Sequence, residues 1–388
     1  MLKNKRHKFE LDDEVAYFNN AYMSPSLKSV TKAGIKAVKA KGKPNSIFAK
    51  DFFEPVDKLK KSFAKLIDCD NHERIAVIPS ASYGISTVVN NIHLKEGDEI
   101  IVLQDQFPSN YYSWLKLANS TGAKIKIVSK PEKTNQIGMA WNAAVLDLIN
   151  HNTAVVAMCH VHWADGTLFD LQAIRKKTNE NNALLIIDGT QSVGALPFSI
   201  KTLQPDALIC SGYKWLMGPY GTALAYFGPH FDDGNPIEEN WLNRDRSEDF
   251  AGLVNYVEKY KPFAHRYSSG EHPNFVAVAM LLQAIEQINK WSPEAIQEYC
   301  KIISREAIDS LLDLGCHIEP LPYRAHHLFG IGLPDSIKLD NLKNIFIQHN
   351  LYASIRGNYV RIALHVYNSK KELKILTKCI TKASNITS

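Results

Sequence analysis

The sequence predicts an α/β protein built on a mostly parallel central sheet with helices on both faces, followed by a smaller α+β region. Three observations predict it. Short apolar runs of strand length recur at 74–78, 99–103, 153–159, 184–187 and 207–210. Segments of helical spacing lie between them, so strand and helix alternate from 74 to 227, the pattern of parallel sheets. Two of the runs end in chemistry: Leu184-Leu185-Ile186-Ile187 in Asp188, and Ala207-Leu208-Ile209-Cys210 in Ser211-Gly212-Tyr213-Lys214-Trp215. Strand ends of open α/β sheets line the crevice where ligands bind, which places a carboxylate and an amine at one pocket.

Taken in order, residues 1–24 start polar and end in Tyr17-Phe18-Asn19-Asn20-Ala21-Tyr22, with a turn at Ser24-Pro25. Helical spacing over 28–68 is punctuated by Pro44 and Pro55. After the run at 74–78 come Ser80-Ala81-Ser82, and then Ile85, Val88, Val89 and Ile92 mark one face of a helix. Small residues ahead of a helix make an anion site, because free N–H groups and the helix dipole both favour phosphate; a plain serine cap reads the same way. Helices are predicted at 109–121, stopped by Gly122, at 142–150 and at 171–181. Residues 228–263 read as an irregular, charged surface segment. Helices at 274–290, 294–314, 339–349 and 369–384, with strands at 326–333 and 351–364, form the α+β remainder.

Composition bounds the function. The chain has 388 residues, of which 45% are apolar and 22% charged, ordinary for a globular protein with room for two domains. The formal charge of +5 is spread along the chain; its one cluster, Lys3, Lys5, Arg6 and Lys8, reads as a solvated tail rather than a nucleic-acid surface. No apolar run is long enough to span a bilayer, and the charged N-terminus lacks the apolar core of a signal peptide. Six cysteines occur without a C-x-x-C pair, which favours a reducing compartment and a cytoplasmic protein. His160-Val161-His162 has no third partner at metal-ligand spacing, so no metal is expected.

The paired carboxylate and amine suit pyridoxal phosphate chemistry. Lys214 can form a Schiff base with the cofactor aldehyde, and Asp188 can keep the pyridine nitrogen protonated so that the ring withdraws electrons. Gln191 can donate to the ring hydroxyl. The competing reading is a solvated loop lysine and an aspartate capping a helix. The stretch Asp188-Gly189-Thr190-Gln191-Ser192-Val193-Gly194, followed by Ser211-Gly212-Tyr213-Lys214-Trp215-Leu216-Met217-Gly218, resembles the class V aminotransferase family. That is the fold-type I group of pyridoxal phosphate enzymes that includes cysteine desulfurases, kynureninase and isopenicillin N epimerase.

The resemblance implies a set of roles. Ala81 and Ser82 match phosphate-cradling positions, with Ser211 and Tyr213 adding hydroxyls. Phe107, followed by Pro108, matches the aromatic residue that stacks on the cofactor ring; packing in the core is the other reading. Arg361, in Tyr359-Val360-Arg361-Ile362-Ala363, matches the arginine that forks onto a substrate α-carboxylate, for which a bidentate guanidinium is suited. Asn20 is a substrate-site candidate, and Trp163 stands where many relatives place a substrate-binding asparagine. The implied layout is an N-terminal segment at 1–24 that contributes to the active site, a large cofactor domain at 25–262 and a small domain at 263–388. The implied protein is a homodimer with shared sites acting on a small amino acid. An aminotransferase leads; a lyase or epimerase is the alternative, and a non-catalytic cofactor binder is a rival of another class. Cysteine desulfurase is disfavoured because the loop 353–358 holds no cysteine.

Overall fold

The chain opens with a two-residue strand, β1 (Ala16–Tyr17), and two helices, α1 (Lys28–Lys41) and α2 (Lys50–Leu66), before it enters the large sheet. The computed structural model describes residues 2–132, 134 and 136–385. The large sheet is made of β2 (Ile75–Ile78), β3 (Glu99–Leu103), β4 (Lys124–Val128), β5 (Thr153–Cys159), β6 (Leu184–Asp188), β7 (Ala207–Ser211) and β8 (Ala223–Phe227). Their order across the sheet is β2-β8-β7-β6-β5-β3-β4. Strands β3 to β7 pair in parallel, while β8 lies antiparallel to both β7 and β2.

Helices α3 (Ala81–Val89), α4 (Tyr112–Thr121), α5 (Ile137–Leu148), α6 (Leu171–Glu180) and the short α7 (Ile200–Leu203) connect these strands. The core is split by the sheet. Ile100 and Val102 of β3 face the cluster that holds Ile85 and Trp114, whereas Ile101 and Leu103 face the one that holds Trp141 and Ile174. Successive strand residues point to opposite faces, and both faces are covered, so the central strands read as nearly continuous apolar runs.

The C-terminal part contains α8 (Phe275–Trp291), α9 (Pro293–Asp313), β9 (Leu328–Gly332), α10 (Leu339–Gln348), β10 (Leu351–Tyr352), β11 (Ser354–Arg356), β12 (Tyr359–Ala363) and α11 (Lys370–Asn385). Strands β11, β12 and β9 form an antiparallel sheet in that order. The N-terminal segment joins it: β1 pairs in parallel with β10, and Asn19 bridges to Ala363. The chain therefore passes at Asn19 and Asn20 from this sheet to the loop after β7, where Asn20 Nδ2 donates to the Lys214 carbonyl.

Several expectations are corrected. Strand β4 was not predicted: its Lys-Ile-Lys-Ile-Val pattern belongs to an edge strand that is largely open to solvent, not to a buried run. Pro55 sits inside α2 instead of interrupting it, while Pro44 does lie in the break between α1 and α2. The helix expected at 142–150 starts at Ile137, and the one expected at 109–121 begins as a 3-10 turn, Pro108–Asn110. The basic N-terminus is not a solvated tail. Arg6 pairs with Glu372 at 3.0 Å and donates to the Val15 carbonyl at 2.7 Å, and Phe9 is buried. Among the described residues no helix is long and apolar enough to cross a membrane.

Candidate active site

The ends of β5, β6 and β7 and the start of α3 surround one cavity. Lys214, Asp188, Gln191, Ser211, Tyr213, Phe107, Trp163 and Ala81 all line it, so most residues singled out in the sequence meet there. Lys214 follows β7 and is only 7% exposed. Its Nζ lies 5.2 Å from the centre of the Phe107 ring and 5.6 Å from that of Tyr213. Burial lowers its pKa from 10.5 to about 8; Asp188 opposes this and the positive charge of Arg361 adds to it. A buried amine held near neutrality is a nucleophile in waiting.

The backbone around Lys214 is braced. Asn20 Nδ2 donates to the Lys214 carbonyl at 3.5 Å, and Ser24 donates to the Tyr213 carbonyl through both its N–H and its hydroxyl at 3.2 Å. Gly194 adopts φ +106°, and a Cβ there would stand 2.4 Å from the Trp215 carbonyl oxygen. Only glycine lets the loop after Asp188 pack so closely on the loop after Lys214.

Asp188 is half-buried at the end of β6, in register with Cys159 on one side and Ile209 on the other. Its Oδ1 accepts from the Thr190 N–H at 3.0 Å, the local contact of a capping aspartate. The thiols of Cys159 and Cys210 are pushed well above their usual range, first by burial and then by the negative charge of Asp188. They stay protonated and inert at neutral pH. All six cysteines are free thiols.

Gln191 is locked in one orientation. Its Oε1 accepts from the Trp215 indole at 2.9 Å, and its Nε2 donates to the Ala21 carbonyl at 3.0 Å. Indole is only a donor and the carbonyl only an acceptor, so the amide cannot flip, and one N–H is left over. His327 supports this turn: its Nε2 meets the Gln191 carbonyl at 2.8 Å. Burial holds the pKa of His160 near 3 and that of His327 near 4, so both are neutral at physiological pH.

At the other end of the cavity, Ser80 caps α3 by accepting from the Tyr83 N–H at 3.2 Å. The N–H groups of Ala81 and Ser82 lie in the first turn, where a helix has no internal acceptors. The Ser82 side chain is exposed and its hydroxyl meets that of Ser80 at 2.8 Å, so this position offers its backbone rather than its hydroxyl. Ser211 ends β7, with its N–H donating to Thr190 Oγ1 at 3.2 Å. Phe107 packs edge-on against Trp163 at 5.6 Å, and the Trp163 indole is fixed on the Asp105 carbonyl at 2.6 Å.

Arg361 is buried on β12. Nη1 donates to the Trp163 carbonyl at 2.6 Å, and Nη2 lies 3.3 Å from both Asn19 Oδ1 and Ser354 Oγ. Its Nε has no partner among the described residues, and no carboxylate is within ion-pair distance. Burial lowers its pKa to about 10, with Arg356 contributing.

Asn20 does not stand on the cavity wall. It is fully enclosed, its amide spent on the Lys214 carbonyl and the Tyr367 hydroxyl, so it braces the lysine instead of facing a ligand. Its neighbour Asn19, together with Ser354 and Thr190, was missed in the sequence. A bridge between Asn19 and Ala363 turns Asn19 toward Arg361, and nothing local in the sequence announces a pairing across more than three hundred residues. His162 is buried and His160 half-buried, and among the described residues no group of three or more His, Cys, Asp or Glu side chains is placed to hold a metal.

The chain is similar to known proteins in sequence and in fold. The sequence profile described as Aminotransferase class-V matches residues 16–328. An uncharacterized aminotransferase, YcbU, of Bacillus subtilis is 23% identical over 326 residues, covering 84% of this chain and 83% of its own. A probable cysteine desulfurase of Borreliella burgdorferi is 24% identical over 319 residues, covering 77% and 71%. Among solved structures, the C-DES protein with glycine covalently linked to its PLP cofactor superposes with a TM-score of 0.86 at 17% identity, covering 98% of this chain and 99% of that one. A complex of the same protein, there called a cystine C-S lyase, with cysteine persulfide gives 0.84 at 17% identity, covering 96% and 98%. The fold is thus that of the fold-type I enzymes anticipated from the motifs, and the chain belongs to the class V aminotransferase family.

Proposed function

We propose that this protein is a pyridoxal phosphate enzyme acting on an α-amino acid, most simply an aminotransferase, with Lys214 as the amine that carries the cofactor. The observation that carries this reading is a buried amine on the cavity wall and, behind the cavity-lining Trp163, a buried guanidinium held on that residue's carbonyl, neither with a carboxylate partner within ion-pair distance among the described residues. Pyridoxal phosphate supplies, when bound, an electron sink for a substrate bond broken at the α-carbon.

The donor set fits that group. The free N–H groups of Ala81 and Ser82, the α3 dipole and the hydroxyls of Ser211 and Tyr213 suit a phosphate. Asp188 offers a carboxylate to a ring nitrogen, Gln191 its spare N–H to a ring hydroxyl, and Phe107 an aromatic face. Arg361, with its unpartnered Nε, suits an α-carboxylate, and Trp163 shapes the pocket beside it. Once its covalent link is released, the Lys214 amine is the base best placed to take and return a proton at the substrate α-carbon.

A lyase reading is favoured by one observation, the likeness to a cystine C-S lyase. Cysteine desulfurase chemistry is disfavoured: β11 and β12 are joined by a two-residue turn, Gly357-Asn358, with no cysteine in it. The fully free thiols favour a reducing compartment, the cytoplasm. Exposed Tyr220, Val254 and Tyr256 favour a homodimer; an active monomer in light scattering would contradict it.

The test is spectroscopic. Purified protein incubated with pyridoxal phosphate should gain visible absorption that changes on addition of its amino acid, with product mass separating transamination from cleavage. Protein that stays colourless would overturn the reading.

A further inference from the structure

We propose that the substrate is a dicarboxylic amino acid, whose side-chain carboxylate is received by Arg356 while Arg361 takes the α-carboxylate. This rests on the role given to Arg361 above. The β11–β12 hairpin sets the geometry. Ser354 is in register with Arg361, and Arg356 with Tyr359. Directly opposed residues share a face of an antiparallel pair, and so do residues two apart, so all four project together. Val360 and Ile362, of opposite parity, are fully buried in the apolar core.

Two guanidiniums therefore leave one sheet face, and Trp163 touches both. Arg361 binds its carbonyl at 2.6 Å, and the Arg356 guanidinium lies 5.5 Å from the centre of its ring. Neither arginine has a carboxylate within ion-pair distance among the described residues, and Arg356 donates only to the carbonyl of its neighbour Ile355, at 2.9 Å. Their mutual repulsion is felt, since Arg356 helps to lower the pKa of Arg361 after burial has done most of it.

Arg356 and Trp163 line an open cavity of about 870 Å³ that shares Gln106 and Trp163 with the wall of the Lys214 cavity. A side chain leading away from Lys214 can extend into it. Its most enclosed acid, Asp165, is neutralised by Lys130. Asp105 and Glu132 also line it but are exposed and bonded to neither arginine. Two uncompensated forks within reach of one tryptophan match a ligand with two carboxylates.

The experiment compares aspartate, glutamate and 2-aminoadipate with asparagine, glutamine and alanine on the cofactor-loaded protein, on Arg356→Gln and on Arg356→Lys. Affinity is read from the change in visible absorption, and KM and kcat are measured separately. Uptake of pyridoxal phosphate by each variant checks that the site is intact. One acid should bind about a hundredfold more tightly than its amide. Arg356→Gln should raise KM for that acid by a similar factor with little change in kcat, and Arg356→Lys should recover part of the loss. Equal binding of acids and amides by the wild-type protein would overturn the proposal even if Arg356→Gln failed to load, and so would unchanged discrimination in a loaded Arg356→Gln. If neutral amino acids alter the spectrum and acids have no advantage, only this proposal fails; if no amino acid alters it, the enzyme reading fails too.

Discussion

Arginines in two regions of this molecule are held in opposite ways. On the outer layers, Arg74 forks onto Asp232 at 2.7 and 3.1 Å, and Arg175 meets Asp206 at 2.7 Å. In the cleft, Arg361 is more deeply buried yet is held only by a carbonyl, an amide and a hydroxyl. An arginine with an acid beside it ties elements together. One buried without an acid costs stability by itself and is explained by a ligand that brings the missing charge. Lys214 belongs with Arg361: its nearest acid, Asp188, raises its pKa less than burial lowers it.

The largest expected effect is Lys214→Ala. It should abolish covalent attachment of pyridoxal phosphate and lower turnover by at least about a thousandfold, while phosphate-dependent docking survives. A reducible adduct in that variant would mean that the wrong lysine has been chosen. Arg361→Gln should lower kcat/KM by roughly a hundredfold, because a buried charged contact to substrate is worth about 3 kcal/mol. The melting temperature of the cofactor-free protein should hold or rise, since an uncompensated cation is removed; a clear fall would place Arg361 with the structural arginines.

The pH dependence of cofactor attachment sharpens the same comparison. Attachment needs the neutral amine, which burial favours. The rate should therefore rise about fivefold from pH 7 to 8, where Lys214 titrates, and level off above that. A rise continuing toward the ordinary lysine range would show that the amine is not desolvated. On the outer layer, Asp206→Asn loses charge from a carboxylate that receives both Arg175 and the Leu185 N–H. It should cost about 2 kcal/mol of stability in denaturant unfolding and leave kcat/KM unchanged.

What could be read from the sequence follows the same division. Strands β3, β5, β6 and β7 were legible because parallel strands buried on both faces need continuous apolar residues, and Asp188 and Lys214 were legible because they end such runs. Strand β4 was not, since an edge strand alternates and is partly polar. Asn19 and Asn20 could not be told apart locally. Which one faces Arg361 depends on a bridge to Ala363 that forms only when the chain closes on itself. Ser82 was placed correctly at the start of α3, but the partner of its hydroxyl, Ser80, is a matter of rotamer rather than pattern. The pairing of Gln191 with Trp215 likewise joins two loops whose approach depends on Gly194.

The central claim is that one buried amine, Lys214, is the point of covalent attachment for the cofactor. The most direct measurement is borohydride reduction of the pyridoxal-phosphate-loaded protein, followed by peptide mass spectrometry. The account predicts a single reduced phosphopyridoxyl group on the peptide containing Lys214. An unmodified Lys214, with the group on another lysine or on none, would contradict it.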